Sequence, residues 1–136
     1  MKIYFAGSIR GGREDIEVYK QIIVELQNYG EVLTEHIGDA SLTSFGEAGV
    51  TDQFIFDRDM DWVRASNIVV AEVTNPSLGV GYKLGQAEAM GKKIICLYRK
   101  VEGKRLSAMI SGNQYMKVFE YESFDQAKDI LSKQIV

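Results

Sequence analysis

Three stretches of this chain carry side chains whose types and spacing could do chemistry. The first is Gly7-Ser8-Ile9-Arg10-Gly11-Gly12-Arg13. Its glycines let the backbone approach an anion, Ser8 can donate a hydrogen bond, and Arg10 can grip a phosphate with two parallel ones. It is neither a Walker A sequence nor a GxGxxG fingerprint, which argues against ATP and NAD. The plainer reading is a glycine turn with a solvated arginine. The second runs Asn75-Pro76-Ser77-Leu78-Gly79-Val80-Gly81-Tyr82-Lys83-Leu84-Gly85, after an apolar run and into a helix. Ser77 and the glycines Gly79 and Gly81 offer hydroxyl and backbone donors, and Lys83 follows in the opening helical turns. The third is the acidic set Asp57, Asp59 and Asp61. Asp57 and Asp61 are four apart and share a solvated face, where Arg58 or Arg64 can pair with them. Asp59 projects the other way, three residues from both Phe56 and Trp62, where a carboxylate needs a partner or a task.

The remaining reactive residues are isolated. His36 is the sole histidine, so a histidine-based metal site is not expected. Cys96 is the sole cysteine and sits in the apolar run Ile94-Ile95-Cys96-Leu97, which excludes an intrachain disulfide or a multi-cysteine zinc site.

Alternating elements must position these groups. Residues 2–6 read as an apolar strand, and 13–29 as a helix whose inner face is Ile16, Tyr19, Ile22, Ile23 and Leu26. Gly30 caps that helix. A strand over 31–36 and a Gly/Ser/Thr-rich loop over 38–49 lead to a helix over 50–65. Residues 67–73 form a near-continuous apolar run, the mark of a parallel strand buried on both faces. A helix over 79–90 ends at Gly91, a strand follows over 93–98, and a short helix over 106–110. The last strand is 117–121, and Ser123 caps a terminal helix running to Lys133. Five strands alternating with helices predict an α/β, Rossmann- or flavodoxin-like, doubly wound parallel sheet of order 2-1-3-4-5 in three layers. Both glycine-rich loops, after strands one and three, then fall at the ligand-binding switch point of such a sheet.

At 136 residues the chain is expected to be one domain, residues 1–136, able to bury a core without staples. A net charge of −3 gives no reason to expect nucleic-acid polymers. No signal pattern or long apolar run appears, so no membrane association and a cytoplasmic location are expected.

The loop after strand one, Leu33-Thr34-Glu35-His36, Asp59-Met60-Asp61-Trp62, the segment around Lys83 and Gly103-Lys104-Arg105-Leu106-Ser107-Ala108-Met109-Ile110 together resemble the 2′-deoxynucleoside 5′-phosphate N-hydrolases, relatives of the nucleoside 2-deoxyribosyltransferases. The resemblance covers nearly the whole chain. It implies hydrolysis of the N-glycosidic bond of deoxynucleoside 5′-monophosphates, without cofactor or metal. It assigns Gly7, Ser8, Ile9, Arg10, Gly11, Gly12, Arg13, Ser77 and Gly79 to the phosphate side, His36 and Tyr19 to the base, and Tyr4 and Asp59 to the reacting sugar. It further implies a homodimer in which Ser107, with Ala108 and Met109, reaches the neighbouring site. Trp62, Met109 and Ile110 are candidate interface members.

One position departs from that pattern. Where this chain has Lys83 the family has a glutamate that attacks the sugar. The chemistry asks for a carboxylate, which stabilises oxocarbenium-like charge, forms a glycosyl ester and releases it to water. A lysine is protonated at neutral pH and repels that charge, unless desolvation frees its amine to attack. Three accounts stay open: a variant inactivated to trap substrate, a natural nucleotide-binding relative without catalysis, or another carboxylate (Asp59, Glu72 or Glu88) doing the work. Glu88 lies about 140° around the helix from Lys83 and faces elsewhere. Glu72, at its strand end, is the nearer candidate, and Asp59 could activate water directly. A base-exchanging deoxyribosyltransferase is the enzymatic rival.

Overall fold

The computed structural model describes residues 1–8, 16–34 and 49–135. Ile9 to Arg13, His36 and most of the loop over 38–49 lie outside the described residues. The elements follow in the order β1 (Lys2–Ala6), α1 (Ile16–Leu26), β2 (Glu31–Val32), α2 (Asp52–Ala65), β3 (Ile68–Glu72), α3 (Leu78–Ala89), β4 (Lys93–Tyr98), α4 (Ala108–Ser111), β5 (Lys117–Glu120) and α5 (Phe124–Gln134). The five strands are parallel and ordered β2-β1-β3-β4-β5, the order expected from the sequence.

Strand alternation sorts the core into two faces. Ile3 and Phe5 of β1 join Val70, Ile95 and Leu97 against α1 and α5, through Tyr19, Ile22, Leu26 and Leu131. Tyr4 and Ala6 point the other way, with Val69, Ala71 and Cys96, against Val63 of α2 and Val80 and Leu84 of α3. Every residue of β3 is buried, as a central parallel strand requires. Burial also pushes the Cys96 thiol up to about 12, which leaves it inert.

The helix starts have side-chain causes. Thr51, Ser77, Ser107 and Ser123 each accept a backbone N–H from the first turn of α2, α3, α4 and α5. Three of these helices, α2, α3 and α4, begin one or two residues away from the sequence expectation, at the residue the cap dictates, and α5 begins directly after Ser123 as expected. Gly91, at φ +73°, closes α3 in the left-handed conformation that favours glycine.

Two expectations need correction. Gly30 is not a left-handed cap; a Cβ there would sit 2.3 Å from the Met1 carbonyl oxygen, so close backbone approach is what requires glycine. The second strand stops at Val32 rather than continuing beyond Thr34. Thr34 turns inward instead: its hydroxyl accepts from Phe5 N–H at 3.0 Å and donates to the Phe5 carbonyl. A side chain has replaced the ladder, so the edge strand ends there.

Candidate active site

The β1, α2 and α3 elements meet above the carboxyl ends of the strands around a cleft of about 500 Å³. Gly7 forms part of its wall, Asp59 and Arg58 enter from α2, and Ser77, Gly79 and Lys83 enter from the start of α3. Tyr4 lies beneath, fully buried in the β1 layer. The spacing that turned Asp59 inward in the sequence turns it inward here, since its residue is only 7% exposed.

Asp59 is gripped from both sides. Lys83 Nζ lies 3.1 Å from Oδ2, while Arg58 donates to Oδ1 from Nε at 3.0 Å and Nη2 at 2.9 Å. The Arg58 guanidinium is itself held over the Trp62 ring at 4.8 Å and the Phe54 ring at 5.6 Å. Two cations thus bracket one carboxylate. Lys83 Nζ also sits 5.5 Å from the Tyr4 ring centroid.

These neighbours set the protonation states. Burial pulls the Lys83 ammonium down, but Tyr4 and Asp59 outweigh it and hold the group above its ordinary value. A free amine at neutral pH, which sequence reasoning left open, is therefore not what this site produces. Burial also drives the Tyr4 phenol up to about 12, a rise that Lys83 opposes and Asp59 reinforces. Its hydroxyl is buried with no hydrogen-bond partner among the described residues. It is a neutral phenol beside the charged groups of Arg58, Asp59 and Lys83.

Ser77 accepts the Val80 N–H at 3.3 Å as a cap, which leaves its own hydroxyl proton free to be donated. A Cβ on Gly79 would meet nothing closer than Ser77 Oγ at 3.9 Å, so the described chain does not itself demand glycine there. Gly7 is different, because a Cβ would come within 3.0 Å of the Tyr19 ring.

Not every expected residue joins this cleft. Tyr19, expected near a base, is buried on the opposite face of the sheet beside Phe5, and its hydroxyl accepts the Ser8 N–H at 3.2 Å. It holds the loop from below and does not line the cleft. Ser8 is fully buried, and its hydroxyl has no partner among the described residues. Ser107 and Met109 stand at a second cleft of about 750 Å³ between α3 and α4, with Ala108 exposed beside them. Ile9, Arg10, Gly11, Gly12, Arg13 and His36 are outside the described residues. Trp62 is half-buried against the core under Arg58. Asp61 pairs with Arg64, at 2.8 Å.

The substitute carboxylates fare poorly. Glu72 is fully buried on the α1/α5 face, accepting from Thr74 N–H at 2.8 Å, from the Thr74 hydroxyl at 2.8 Å and from the Tyr121 hydroxyl. It faces away from Lys83, and strand parity is the reason: Val69 and Ala71 face the cleft side, so Glu72 cannot. Glu88 accepts from Asn113 Nδ2 at 2.7 Å in the second cleft. Sequence reasoning overlooked Arg58 as the partner of Asp59 and the ring pair Phe56–Tyr82 at the cleft mouth. The i+1 placement of Arg58 hid it, since neighbours in a helix do not share a face until a long side chain curls back.

Among the described residues no helix is long and apolar enough to cross a membrane. Residues 3–128 match the family model described as nucleoside 2-deoxyribosyltransferase. The chain is 50% identical over 135 residues to a 5-hydroxymethyl-dUMP N-hydrolase of Danio rerio, covering 98% of this chain and 94% of the relative. It is 52% identical over 128 residues to the 5-hydroxymethyl-dUMP N-hydrolase of Esox lucius, covering 93% and 88%. Its fold superposes on a CMP N-glycosidase of Clostridium botulinum with a TM-score of 0.70 at 21% identity, over 98% of each chain. The matched span includes both glycine-rich loops and the Tyr4, Asp59 and Lys83 trio, and the chain belongs to the nucleoside 2-deoxyribosyltransferase family.

Proposed function

We propose that this chain is built as a 2′-deoxynucleoside 5′-monophosphate N-glycosidase and that Lys83, at the nucleophile position, leaves it binding the nucleotide with little turnover. The names of its relatives support the reaction class. The phosphate is held by Ser8, the glycine loop with Arg10, and Ser77 at the start of α3, where N–H groups favour an anion. The sugar sits between Tyr4, Asp59 and position 83, and the products are a free base and 2-deoxyribose 5-phosphate.

The observation that carries the reading is the Lys83–Asp59 pair, at 3.1 Å. A side chain at position 83 reaches into the cleft and meets the buried carboxylate of Asp59, which is where a glutamate would have to stand to attack the anomeric carbon. With glutamate, the carboxylate adds to that carbon as the base departs with the bonding pair and gains a proton, and water then cleaves the ester. With lysine, a fixed positive charge faces the developing oxocarbenium. Asp59 is a poor substitute, because Arg58 engages its Oδ1 and Lys83 its Oδ2, so two cations compete with any attacking water for the carboxylate. Loss of a nucleophile costs about a millionfold in other enzymes.

The same reading includes a homodimer whose α4 contributes Ser107 to the neighbour's phosphate. Met109 is 80% exposed beside the apolar second cleft, which supports a covered α3/α4 face. The test is base release from deoxynucleoside monophosphates, followed chromatographically for this chain and for Lys83→Glu. Release by the glutamate variant alone is the expected result. Equal release by both places the chemistry on another group, and release by neither removes the hydrolase reading.

A further inference from the structure

Two aromatic rings at the mouth of the cleft belong to neither core. Phe56 projects from α2 and Tyr82 from α3, and their centroids lie 5.9 Å apart with the planes tilted by 48°. They are 48% and 50% exposed, respectively. Isolated apolar side chains in water need no explanation, but two rings meeting across separate helices beside a polar cleft form a patch. Packing of the protein does not require them there: neither belongs to the cluster on either side of the sheet.

Their place relative to the chemistry is definite. Tyr82 adjoins Lys83 in sequence, and Phe56 lies one helical turn before Asp59 and Met60. A nucleotide in this cleft has its phosphate toward Gly7, Ser77 and Gly79 and its anomeric carbon at position 83. The base is bonded to that carbon, whereas the phosphate arm hangs from the carbon across the ring oxygen, so the base takes up the part of the cleft that the phosphate does not. Beyond the phosphate-side and reacting residues, the cleft lining includes Ile55, Phe56 and Tyr82, with Asp52 also in it. A cleft of about 500 Å³ is in the range that holds a ligand of this size.

We infer that Phe56 and Tyr82 are the platform on which the nucleobase stacks, which makes them base-recognition residues of the site. The inference rests on the deoxynucleotide reading above. Stacking uses the face of the base and not its edge, so the pair favours flat aromatic bases without choosing among them.

Because Lys83 suppresses turnover, binding can be measured on the chain itself by calorimetry. The ligands are dUMP, dGMP and base-free 2-deoxyribose 5-phosphate, against wild type, Phe56→Ala, Tyr82→Ala and the conservative Phe56→Tyr and Tyr82→Phe. Each alanine variant is expected to weaken the nucleotides about tenfold, in the range of aromatic–base stacking, and to leave 2-deoxyribose 5-phosphate unchanged. The conservative variants are expected to keep nucleotide affinity. Wild-type binding of nucleotides with no loss in either alanine variant overturns the platform alone. Equal weakening of all three ligands also overturns it, by showing that the rings support the cleft and not the base. If wild type binds no ligand, the nucleotide reading falls and the platform with it.

Discussion

At the residue scale, the site is governed by charge bookkeeping around one carboxylate. Asp59 is buried, so removing a counter-charge leaves it under-compensated, and breaking a wholly buried pair costs about 3–5 kcal/mol. Arg58 still grips Oδ1 if Lys83 is lost, which limits the damage. Lys83→Gln is therefore expected to lower stability by about 1–2 kcal/mol, below that range. Lys83→Glu sets two carboxylates against one guanidinium and should cost more, while being the variant that releases base. Urea unfolding checks the order, and a Lys83→Glu protein more stable than Lys83→Gln would show that Asp59 carries no such charge. Tyr4 gives a second, pH-dependent prediction. Its folded value, about 12, lies above the unfolded value of 10.0, so the stability it contributes is complete below pH 10 and is lost as pH rises toward 12. Two pH units at about 1.4 kcal/mol each amount to about 3 kcal/mol. Lys83, also raised, acts in the same direction. Tyr4→Phe cannot ionise, so between pH 9.5 and 12 the wild type should lose about 2–3 kcal/mol more than this variant, read from urea midpoints. Parallel decline of the two would remove the phenol from the account.

At the scale of elements, the glycines of the two loops separate into those the fold needs and those it leaves open. Gly7→Ala drives a Cβ to 3.0 Å from the Tyr19 ring, whose hydroxyl holds the Ser8 N–H, so the ring and the loop cannot both stay where they are. We expect a loss of about 1–3 kcal/mol, the usual cost of overpacking. Gly79→Ala has room and lies in a helix, where alanine gains about 0.5–1 kcal/mol over glycine. The same methyl group stands where a phosphate would approach the start of α3. The expected signature is thus opposite in sign to Gly7: a raised thermal midpoint with nucleotide affinity down at least tenfold. The elements also show what was legible beforehand. Sheet order, the Ser123 cap and the inward turn of Asp59 follow from local rules of period, capping and helix spacing. Strand parity was available too, since Tyr4 pairs with Val69 in register, and applying it would have removed Glu72 from the candidates at once. Arg58 and Thr34 were not legible. Each acts through a side chain that reaches back or across to a group outside its own periodic face, and period carries no information about that.

At the scale of the whole molecule, the distribution of the expected site residues over two clefts has a consequence for assembly. Lys83 and Asp59 line one cleft, Ser107 and Met109 line the other, and Ser77, Leu78, Val80 and Tyr82 border both. The reacting pair Lys83 and Asp59 is thus absent from the cleft that Ser107 lines. If two copies meet at this face, each site is completed by the other's α4. That arrangement makes a complementation experiment decisive. The double variant Lys83→Glu/Ser107→Ala should have its nucleophile but lack the donated hydroxyl, lowering kcat/KM by about tenfold relative to Lys83→Glu, as loss of one charged hydrogen bond would. Adding an excess of the unmodified chain, which carries Ser107 and on the proposed reading turns over little, should form mixed dimers in which every glutamate site receives an intact serine. Activity per glutamate subunit should then return toward that of Lys83→Glu. Monomeric behaviour in solution scattering, or no recovery on mixing once exchange is verified with labelled chains, would confine Ser107 to capping α4 and leave each cleft to work alone.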